Sequence, residues 1–320
     1  MLKRRILLQW YTAIVHKGSP VFLLQEQEGG GCQMLDSRPL SWRDRLSPKN
    51  EEEDMARPNG VREAWQQGRA VVNSWCGIPS SFSAEVMASM GWDSLVVDMQ
   101  HGMIDYQMMV TMLQGISTTN VTPLVRVPWN DPAHIQKALD AGAYGIVCPM
   151  INNRAEAEKF VGSMRYAPLG YRSSGPIRAS LYGGADYHAK ANDIVVAFGM
   201  IETQEALNNL DAILSTPGLD ASYVGPSDLS ISLGYAPGGD KPDEWMMAAL
   251  KKVLDGCKRH KVQPGIHCGA PSYAKQMIEM GFTFVTVGGD NRFMTLGGQA
   301  ALQEMRSGAA APAPKSSSPY

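Results

Sequence analysis

Two acidic residues, Glu202 and Asp228, each follow an apolar run that is typical of a β-strand. Residues 195–201 precede the first acid, and Tyr223 and Val224 lead to the second, while residues 204–213 between them have a helical pattern. Two parallel strands joined by a helix end at the same edge of a sheet, so we expect the two acids to lie close together. Neighbouring carboxylates need protonation, a positive partner or a divalent metal ion.

The other predicted strands also end in polar or aromatic residues. The second strand, SLVVD, ends at Asp98 and leads to His101, and the third, TPLVRVP, carries Arg126. The remaining strand ends carry Trp75, His267 and Asp290. A base, a fixed cation and two hard oxygen ligands are therefore expected together where the strands end.

This set of residues fits enolisation of a 2-oxo acid. A divalent cation on Glu202 and Asp228, Mg²⁺ or Mn²⁺ with Co²⁺ as a further candidate, would chelate the substrate as a Lewis acid. Arg126 would add positive charge to the enolate oxygen, and His101 would act as the base. Asp98 would orient the His101 imidazole. The backbone N–H groups of Ser227 and Asp228 would hold the substrate carboxylate.

Each candidate also has a structural interpretation that the sequence leaves open. Glu202 could favour a helix N-terminus, and Asp228 could be an N-cap. Arg126 could form an ion pair with Asp98 or Asp140 inside a barrel. The remaining candidates could be core or loop residues: Trp75, His101, His267 and Asp290. Two further histidines, His134 and His188, are expected at the surface.

The elements that position these residues alternate between strand and helix. Helical patterns follow the strand-like runs, with apolar spacings of three to four, and glycines at 91, 142 and 281 follow three helices. Eight apolar runs begin near residues 71, 94, 122, 145, 195, 222, 263 and 282. This rhythm predicts an α/β fold, a (β/α)8 TIM barrel. A doubly wound open sheet is the alternative, although no G-x-G-x-x-G follows the first strand.

Composition limits the classes of function. The apolar share of 44% supports a sizeable core, and a net charge of −2 favours neither nucleic acid nor an anionic membrane as a partner. No apolar run reaches the length of a membrane span. Five scattered cysteines without a C-x-x-C pair argue against disulfides and zinc, and fit a reducing cytoplasm.

The two ends of the chain differ from the middle. Residues 1–56 show no persistent period and are expected to form a poorly ordered N-terminal extension, and 308–320 form an Ala/Pro/Ser-rich flexible tail. The barrel is expected over residues 57–307. We also expect Met55, which precedes a capped helix start, to be the natural first residue. Mass spectrometry of protein from the native host would test this expectation.

Several motifs in order resemble the HpcH/HpaI aldolase/citrate lyase family, from about residue 60 to 306. VVDMQHG resembles the family's D-x-E-H segment, and LVRVPWNDP resembles its arginine strand. IETQEALNNL and VGPSDLS resemble the segments that carry the metal ligands. Similar stretches are SWCGIPSSFSAEVMASMGWD, RYAPLGYRSSG, PGIHC and VTVGGD, and Asp140 matches an acid near the family's active site.

The resemblance implies a metal-dependent pyruvate aldolase with Glu202 and Asp228 as metal ligands. It implies reversible retro-aldol cleavage of a 4-hydroxy-2-oxo acid to pyruvate and an aldehyde, in which a metal-bound water relays a proton to His101. Trp75 would lie in the substrate pocket with Gly225, Pro226 and Ser227, and His267 near the substrate tail. A homo-oligomer is also implied, a hexamer built as a dimer of trimers with an exchanged C-terminal helix.

Four residues depart from the family pattern. Gln100 replaces a glutamate before His101, Met200 replaces a glutamine, and His267-Cys268 replaces a more apolar pair. These changes concern the preferred aldehyde and the rate, while the acid pair, the arginine and the histidine are retained.

Two rival functions are considered beside the aldolase. A CoA-ester lyase of the citrate lyase β or malyl-CoA type would use the same acids together with basic loops for the CoA phosphates. The loop at 165–184 carries Arg165, Arg172 and Arg178. The second rival is a catalytically silent barrel that acts as a binding protein, for which Met200 and Gln100 are the support.

Overall fold

The computed structural model describes residues 56–307 and two short strands nearer the N-terminus. Contacts divide the chain into two units, 1–53 and 54–320. In the first unit, β1 (Leu24–Glu26) pairs antiparallel with β2 (Cys32–Met34). The segment predicted to be poorly ordered therefore contains one short strand pair. Met55 and the predicted tail at 308–320 lie outside the described residues.

Eight parallel strands of the second unit close into a barrel, in which each strand pairs with its sequence neighbour and the last pairs with the first. This confirms the predicted (β/α)8 barrel over an open sheet, and the predicted strand starts agree to within two residues. The strands are β3 (Val71–Cys76), β4 (Ser94–Asp98), β5 (Thr122–Arg126), β6 (Gly145–Cys148), β7 (Val196–Ile201), β8 (Ala221–Val224), β9 (Gln263–Cys268) and β10 (Phe284–Gly289).

Helices alternate with these strands. The predicted helix at 204–213 is two shorter helices with Asn209 between them, whose side chain donates to the Asn152 carbonyl at 2.9 Å. The helices are α1 (Gly60–Gln66), α2 (Ser81–Ala88), α3 (Tyr106–Ile116), α4 (Pro132–Asp140), α5 (Arg154–Met164), α6 (Ile177–Gly183), α7 (Tyr187–Ile194), α8 (Gln204–Asn208), α9 (Leu210–Leu214), α10 (Pro226–Ser232), α11 (Glu244–His260), α12 (Pro271–Met280) and α13 (Asp290–Ser307).

Successive residues of each strand face opposite sides of the barrel wall. In β4, Val96 belongs to the interior cluster, whereas Leu95 and Val97 pack in the larger cluster between strands and helices. Leu124 and Val125 of β5 divide in the same way. Asp98 and Arg126 lie two residues beyond Val96 and Leu124, so the same alternation points them into the barrel at its C-terminal mouth.

The opposite mouth is closed by α1. Val61 and Ala64 of this helix belong to the interior cluster, and the Trp65 indole donates to the Thr283 carbonyl at 3.0 Å. Asn59 is the N-cap, and its Oδ1 accepts from the Val61 N–H at 3.1 Å. The capped helix that was expected after Met55 thus closes one end of the barrel, which leaves the C-terminal mouth for a site.

Asp220, which directly precedes β8, forms ion pairs with two arginines. Its Oδ1 lies 2.8 Å from Arg62, its Oδ2 lies 2.6 Å from Arg165, and Oδ2 also accepts from the Ala197 N–H. We predict that Asp220→Ala lowers the free energy of unfolding by about 3 kcal/mol, because it leaves the guanidinium of Arg165, which is only 4% exposed, without its carboxylate. Urea unfolding measures this.

The control for this prediction is Asp211→Ala. Asp211 pairs with Arg259 at the surface, where both side chains are more than half exposed. Surface pairs contribute about 1 kcal/mol or less, so this variant should unfold close to wild type. Equal effects of the two substitutions would contradict a structural role for Asp220.

Within residues 56–307, no helix is both long and apolar enough to cross a membrane. Four cysteines in this range are buried and free. The final helix, α13, is unusual because apolar side chains are exposed along its length: Met294, Leu296, Leu302 and Met305.

Candidate active site

A cavity of about 350 Å³ opens at the C-terminal mouth of the barrel. Its wall includes all the site residues predicted from the sequence except Glu202: Trp75, Asp98, His101, Arg126, Gly225, Pro226, Ser227, Asp228 and His267. Five different strands or strand-following segments contribute these residues. Only a closed barrel brings them to one place.

Glu202 lies behind this wall at the end of β7, with 2% of its surface exposed. Its Oε1 accepts from the Met150 N–H at 2.9 Å. Met150 has φ +55, a left-handed conformation that is unusual for a residue with a side chain. Burial, together with the charge of Asp228, raises the pKa of Glu202 to about 7, although the Met150 hydrogen bond opposes the shift.

The second oxygen of Glu202 faces Gly225. A Cβ at position 225 would lie 2.5 Å from Oε2 and 3.1 Å from the Met200 methyl group. Glycine is therefore required for this close approach. Glu202 Oε2 forms no hydrogen bond with other residues of the 56–307 range, so this oxygen keeps its capacity to accept a bond.

Asp228 lies in the first turn of α10 and is half-buried. The N-cap of this helix is Gly225, so Asp228 does not occupy the N-cap position that the sequence left open. Its side chain makes no hydrogen bond within the described part of the chain. The carboxylate is thus available on the cavity wall, near enough for its charge to affect Glu202.

The acid pair fits a hard divalent cation. Glu202 offers Oε2 and Asp228 offers its carboxylate, and Glu202 has no ion-pair partner in the described range. No cluster of three or more His, Cys, Asp and Glu side chains suited to a metal occurs among residues 56–307. Mg²⁺ typically binds through one or two carboxylates and keeps waters or substrate oxygens as its other ligands. Two protein ligands beside an open cavity match that pattern.

Arg126 and Asp98 form a buried ion pair. The two residues are direct partners in the register of β4 and β5. Arg126 Nε lies 2.8 Å from Asp98 Oδ1, and its Nη2 lies 2.6 Å from Oδ2. This is the pair that the sequence allowed as a structural interpretation of Arg126, and it also fixes the guanidinium beside the cavity.

The guanidinium of Arg126 also stacks on the Trp75 indole. The guanidinium carbon lies 4.0 Å from the centre of the indole ring, and 7% of Trp75 is exposed. Stacking on an indole face attracts a cation and restricts its movement. The arginine is therefore held by a carboxylate at its Nε and Nη2 and by an aromatic face.

His101 lies in the loop after β4 and is exposed on the cavity wall. Asp98 acts on the backbone of this loop: its Oδ1 accepts from the N–H groups of Gln100 at 3.1 Å and His101 at 3.3 Å. The carboxylate thus positions the loop and pairs with Arg126. No side-chain hydrogen bond joins Asp98 to the His101 ring in this geometry, and the orientation of that imidazole by Asp98 stays a prediction.

His267 is half-buried near the end of β9. Its ring meets the edge of Trp75 at 5.4 Å between centres, and its Nδ1 lies 3.2 Å from the Tyr223 hydroxyl. Burial and the charge of Arg126 lower the pKa of His267 from 6.5 to about 4, and Arg292 acts in the same direction. Asp240 and Asp98 oppose the shift.

This lowered pKa predicts a pH-dependent stability. Between pH 6.5 and about 4, an unfolded His267 binds a proton that the folded one does not, so the free energy of unfolding falls as the pH falls. The loss attributable to this residue is at most about 3 kcal/mol. Urea unfolding of wild type and His267→Gln at pH 5 and pH 7 should show a flatter dependence for the variant. Identical slopes would contradict the assignment.

Sequence reasoning missed the polar groups inside the barrel. Tyr223 lies on the cavity wall, and Thr286 is completely buried beside it. A lone threonine within the apolar strand FVTVGG was the available signal. Asp290, left open in the sequence, accepts from the N–H groups of Gly77 at 2.9 Å and Ile78 at 3.1 Å, so it ties the β3–α2 loop to α13.

Other residues singled out in the sequence fall at different places. Asp140 pairs with Arg172 at 2.8 Å at the end of α4 and is not part of the cavity. His134 is half exposed beside Asp131, and His188 stacks on Tyr166, so neither lines the site. Of the departures from the family pattern, Met200 and His267 line the cavity. Gln100 is only half-buried.

Comparison with known proteins adds to this geometry. Residues 74–295 match the family model described as HpcH/HpaI aldolase/citrate lyase. A hydroxypyruvate/pyruvate aldolase of Rhizorhabdus wittichii is 40% identical over 248 residues, which cover 78% of this chain and 99% of that protein. A 4-hydroxy-2-oxo-heptane-1,7-dioate aldolase of Salmonella dublin is 36% identical over 245 residues, covering 76% and 92% of the two chains.

Solved structures give the same result. A crystal structure of an HpcH/HpaI aldolase/citrate lyase family protein from Burkholderia cenocepacia superposes with a TM-score of 0.72 at 31% identity. The match covers 78% of this chain and 99% of the other. The region matched by the family model, residues 74–295, contains the whole barrel mouth described above.

Proposed function

This chain belongs to the HpcH/HpaI aldolase/citrate lyase family, and on that basis we propose that it cleaves a 4-hydroxy-2-oxo acid to pyruvate and an aldehyde, reversibly and with a divalent metal ion. Family membership confirms the resemblance read from the motifs and makes the protein a carbon–carbon lyase of the aldolase type. The observation that supports the proposal most directly is the acid pair: a buried Glu202 without an ion-pair partner among residues 56–307, next to Asp228.

Glu202 and Asp228 are the residues that would hold the metal. When bound, a divalent cation supplies a Lewis acid for the carboxylate and keto oxygens of the 2-oxo acid. Gly225 lets the Glu202 carboxylate approach the wall of the cavity, and Pro226 and Ser227 form the wall beside Asp228. The pyruvate half of the substrate would therefore lie at the ends of β7 and β8.

Arg126 would stabilise the negative charge that develops on the keto oxygen. Its guanidinium is already fixed by Asp98 and Trp75, so little reorganisation is needed when the charge appears. The pairing with Asp98 uses Nε and Nη2. Nη1 is thereby left for a substrate oxygen.

His101 would act as the general base. In the cleavage direction it accepts the proton of the 4-hydroxyl as the C3–C4 bond breaks, and the electron pair of that bond passes into the enolate of pyruvate. C4 leaves as the aldehyde, and protonation of C3 gives pyruvate. Asp98 keeps the His101 backbone in place during this exchange.

The CoA-ester lyase is the less favoured function because the arginine side chains of the loop at 165–184 already bind other groups of this chain. Arg165 binds Asp220, and Arg172 binds Asp140 with its side chain completely buried. Arg178 donates to the Ser117 hydroxyl. Guanidinium groups held in this way are not available for the phosphates of CoA.

Deuterium exchange tests the proposal against a silent barrel. Pyruvate is incubated with the protein in D₂O, with and without Mn²⁺, and its methyl protons are followed by NMR. An aldolase should exchange them only with the metal present, because exchange requires the enolate but no aldehyde. Absence of exchange with Mg²⁺, Mn²⁺ and Co²⁺ would favour the binding protein instead.

We also propose that copies of the chain assemble into the predicted homo-oligomer. The exposed apolar residues of α13 support this, as do Ile177 and Leu181 of α6, which are more than four-fifths exposed. Apolar patches of this kind mark protein interfaces. Light scattering coupled to gel filtration would give the number of subunits, and a monomer would contradict the proposal.

A further inference from the structure

A row of buried polar side chains crosses three strands inside the barrel and ends at Trp75 on the cavity wall. The Ser94 hydroxyl lies 2.9 Å from Asn73 Oδ1, and Asn73 Nδ2 lies 2.9 Å from Thr286 Oγ1. The indole Nε1 of Trp75 lies 3.1 Å from the same threonine oxygen. Ser94, Asn73 and Thr286 have no exposed surface, so water does not compete for these bonds.

Strand pairing brings the Thr286 hydroxyl to this position. Thr286 of β10 is the register partner of Asn73 in β3. Trp75 follows Asn73 by two residues, so both side chains of β3 lie on the same face of the strand. The register therefore presents one hydroxyl of β10 to two side chains of β3.

The bond between Trp75 and Thr286 has only one possible direction, because an indole nitrogen donates and cannot accept. Thr286 Oγ1 is therefore the acceptor. A hydroxyl oxygen has two lone pairs, and the Asn73 amide donates to the second. The proton of Thr286 is then left for the Tyr223 oxygen, 2.8 Å away. The bonding capacity of this hydroxyl is fully used, and the indole nitrogen has a fixed partner.

The face of the same indole holds Arg126. Its guanidinium carbon lies 4.0 Å from the centre of the Trp75 ring. Asp98 binds Nε and Nη2 of this guanidinium together, which restricts movement within its plane. Movement out of that plane is restricted by the stacked ring. Arg126 is therefore held in this second direction only as firmly as the indole itself is held.

Packing alone does not account for the polar row. Burying a hydroxyl among apolar side chains costs free energy unless it is hydrogen-bonded. A valine at 286 would have nearly the same size and would need no partner. The hydroxyl at this position is accounted for by the groups that it binds. The interior around it is largely apolar and includes Val96, Leu124 and Phe284.

We propose that Thr286 is a positioning residue for enolisation: it accepts a hydrogen bond from Trp75 Nε1 and so fixes the indole on which the Arg126 guanidinium stacks. This inference rests on the proposed function, in which Arg126 stabilises the enolate. Thr286 is not among the residues of the cavity wall, so it acts through Trp75 and without touching substrate. A looser Arg126 should slow enolate formation more than it weakens pyruvate binding, because the enolate charge develops in the transition state.

The kinetic test uses Thr286→Val, which removes the acceptor and keeps the size of the side chain. With Mn²⁺ present, kcat for exchange of the pyruvate methyl protons should fall roughly 10-fold, the effect of one hydrogen bond, with a smaller change in KM. Thr286→Ser keeps the hydroxyl and should retain most of the rate. If folded Thr286→Val exchanges like the wild type, or if serine is as slow as valine, the proposal is overturned.

The matched control is Thr216→Val. Thr216 is also buried, but it follows α9 and forms no hydrogen bond to the polar row. This variant should keep the wild-type kcat. A loss equal to that of Thr286→Val would mean that removing any buried threonine hydroxyl slows the enzyme, and it would overturn the specific role of Thr286.

A double variant isolates the indole bond from general effects on folding. Trp75→Phe keeps an aromatic ring and removes the N–H, so it should lower kcat by itself. Adding Thr286→Val to Trp75→Phe removes the contacts to Asn73 and Tyr223 but no indole bond. The addition should therefore change kcat by less than about twofold. A second loss of about 10-fold would show that the effect does not pass through Trp75, which overturns the proposal.

NMR measures the indole bond without any activity. The chain has seven tryptophans, and the Trp75 indole signal is identified by its loss in Trp75→Phe. In the wild type we expect this N–H proton downfield, at the position of a hydrogen-bonded indole. Thr286→Val should move it upfield, and Thr286→Ser should leave it near the wild-type position. An indole signal at the same position in Thr286→Val and wild type would mean that the bond is not made, and the proposal would be rejected.

Failure of the proposed function gives a different result. Absence of metal-dependent exchange in the wild-type protein would reject the aldolase and this inference with it. Exchange in the wild type together with a full rate in folded Thr286→Val would retain the aldolase and reject only the role of Thr286.

Discussion

Arg126→Ala should lower kcat/KM for aldol cleavage by roughly 10³-fold, the usual effect of removing one preorganised donor from a developing oxyanion. The substitution also leaves the Asp98 carboxylate, 9% exposed, without its partner. Removing one member of a buried pair costs about 3 kcal/mol of folding free energy. The variant should therefore show two separate losses, one in rate and one in stability.

A double variant distinguishes these losses. Arg126→Ala with Asp98→Ala removes both charges, so much of the stability should return while activity does not. Rates are measured as pyruvate formed, and stability by urea unfolding. Mn²⁺ affinity should stay near wild type in Arg126→Ala, because the acid pair is untouched. Turnover within tenfold of wild type in a folded Arg126→Ala protein would contradict the proposed role.

Glu202→Gln should abolish the response of the protein to divalent metal. The amide keeps the size of the side chain and its acceptor for the Met150 N–H, but it removes the charge beside Asp228. Because one of the two proposed protein ligands is lost, Mn²⁺ affinity should fall about 100-fold. Pyruvate exchange should fall with it.

Unfolding measurements provide a readout that does not depend on activity. Mn²⁺ at 100 times its dissociation constant should stabilise the wild type by about 2.7 kcal/mol and leave Glu202→Gln unchanged. Glu205→Gln, an exposed position one residue into α8, is the matched control and should respond like wild type. Equal stabilisation of Glu202→Gln and wild type would place the metal elsewhere.

These two predictions depend on different properties of the same cavity. Arg126 is held by side chains that neutralise and restrict it before substrate arrives. Glu202 is buried with an oxygen that residues 56–307 do not satisfy, and its pKa is raised to about 7 because burial disfavours its charge. A site that combines a fixed cation with an under-compensated anion is suited to binding a metal and a charged substrate together.

The repeating architecture follows from local sequence patterns alone. Apolar runs of strand length followed by helical spacing define eight units, and glycine positions such as Gly281, with φ +118, define where helices end. These are local properties, because each depends on residues within one turn or one strand. The sequence also named the acid pair, Arg126 and His101 as strand-end residues, since strand ends share one edge.

The contacts of each side chain depend on how the strands pair in the closed barrel. The partner of Arg126, left open between Asp98 and Asp140, is Asp98, because the β4–β5 register sets these two side by side. Asp98 acts on the His101 backbone, and the Tyr223–Thr286 pair reaches His267 across strands that are 44 and 63 residues apart in sequence. Hydrogen bonds require atoms within about 3 Å in a suitable direction. Only closure of the barrel brings residues so distant in sequence to that separation.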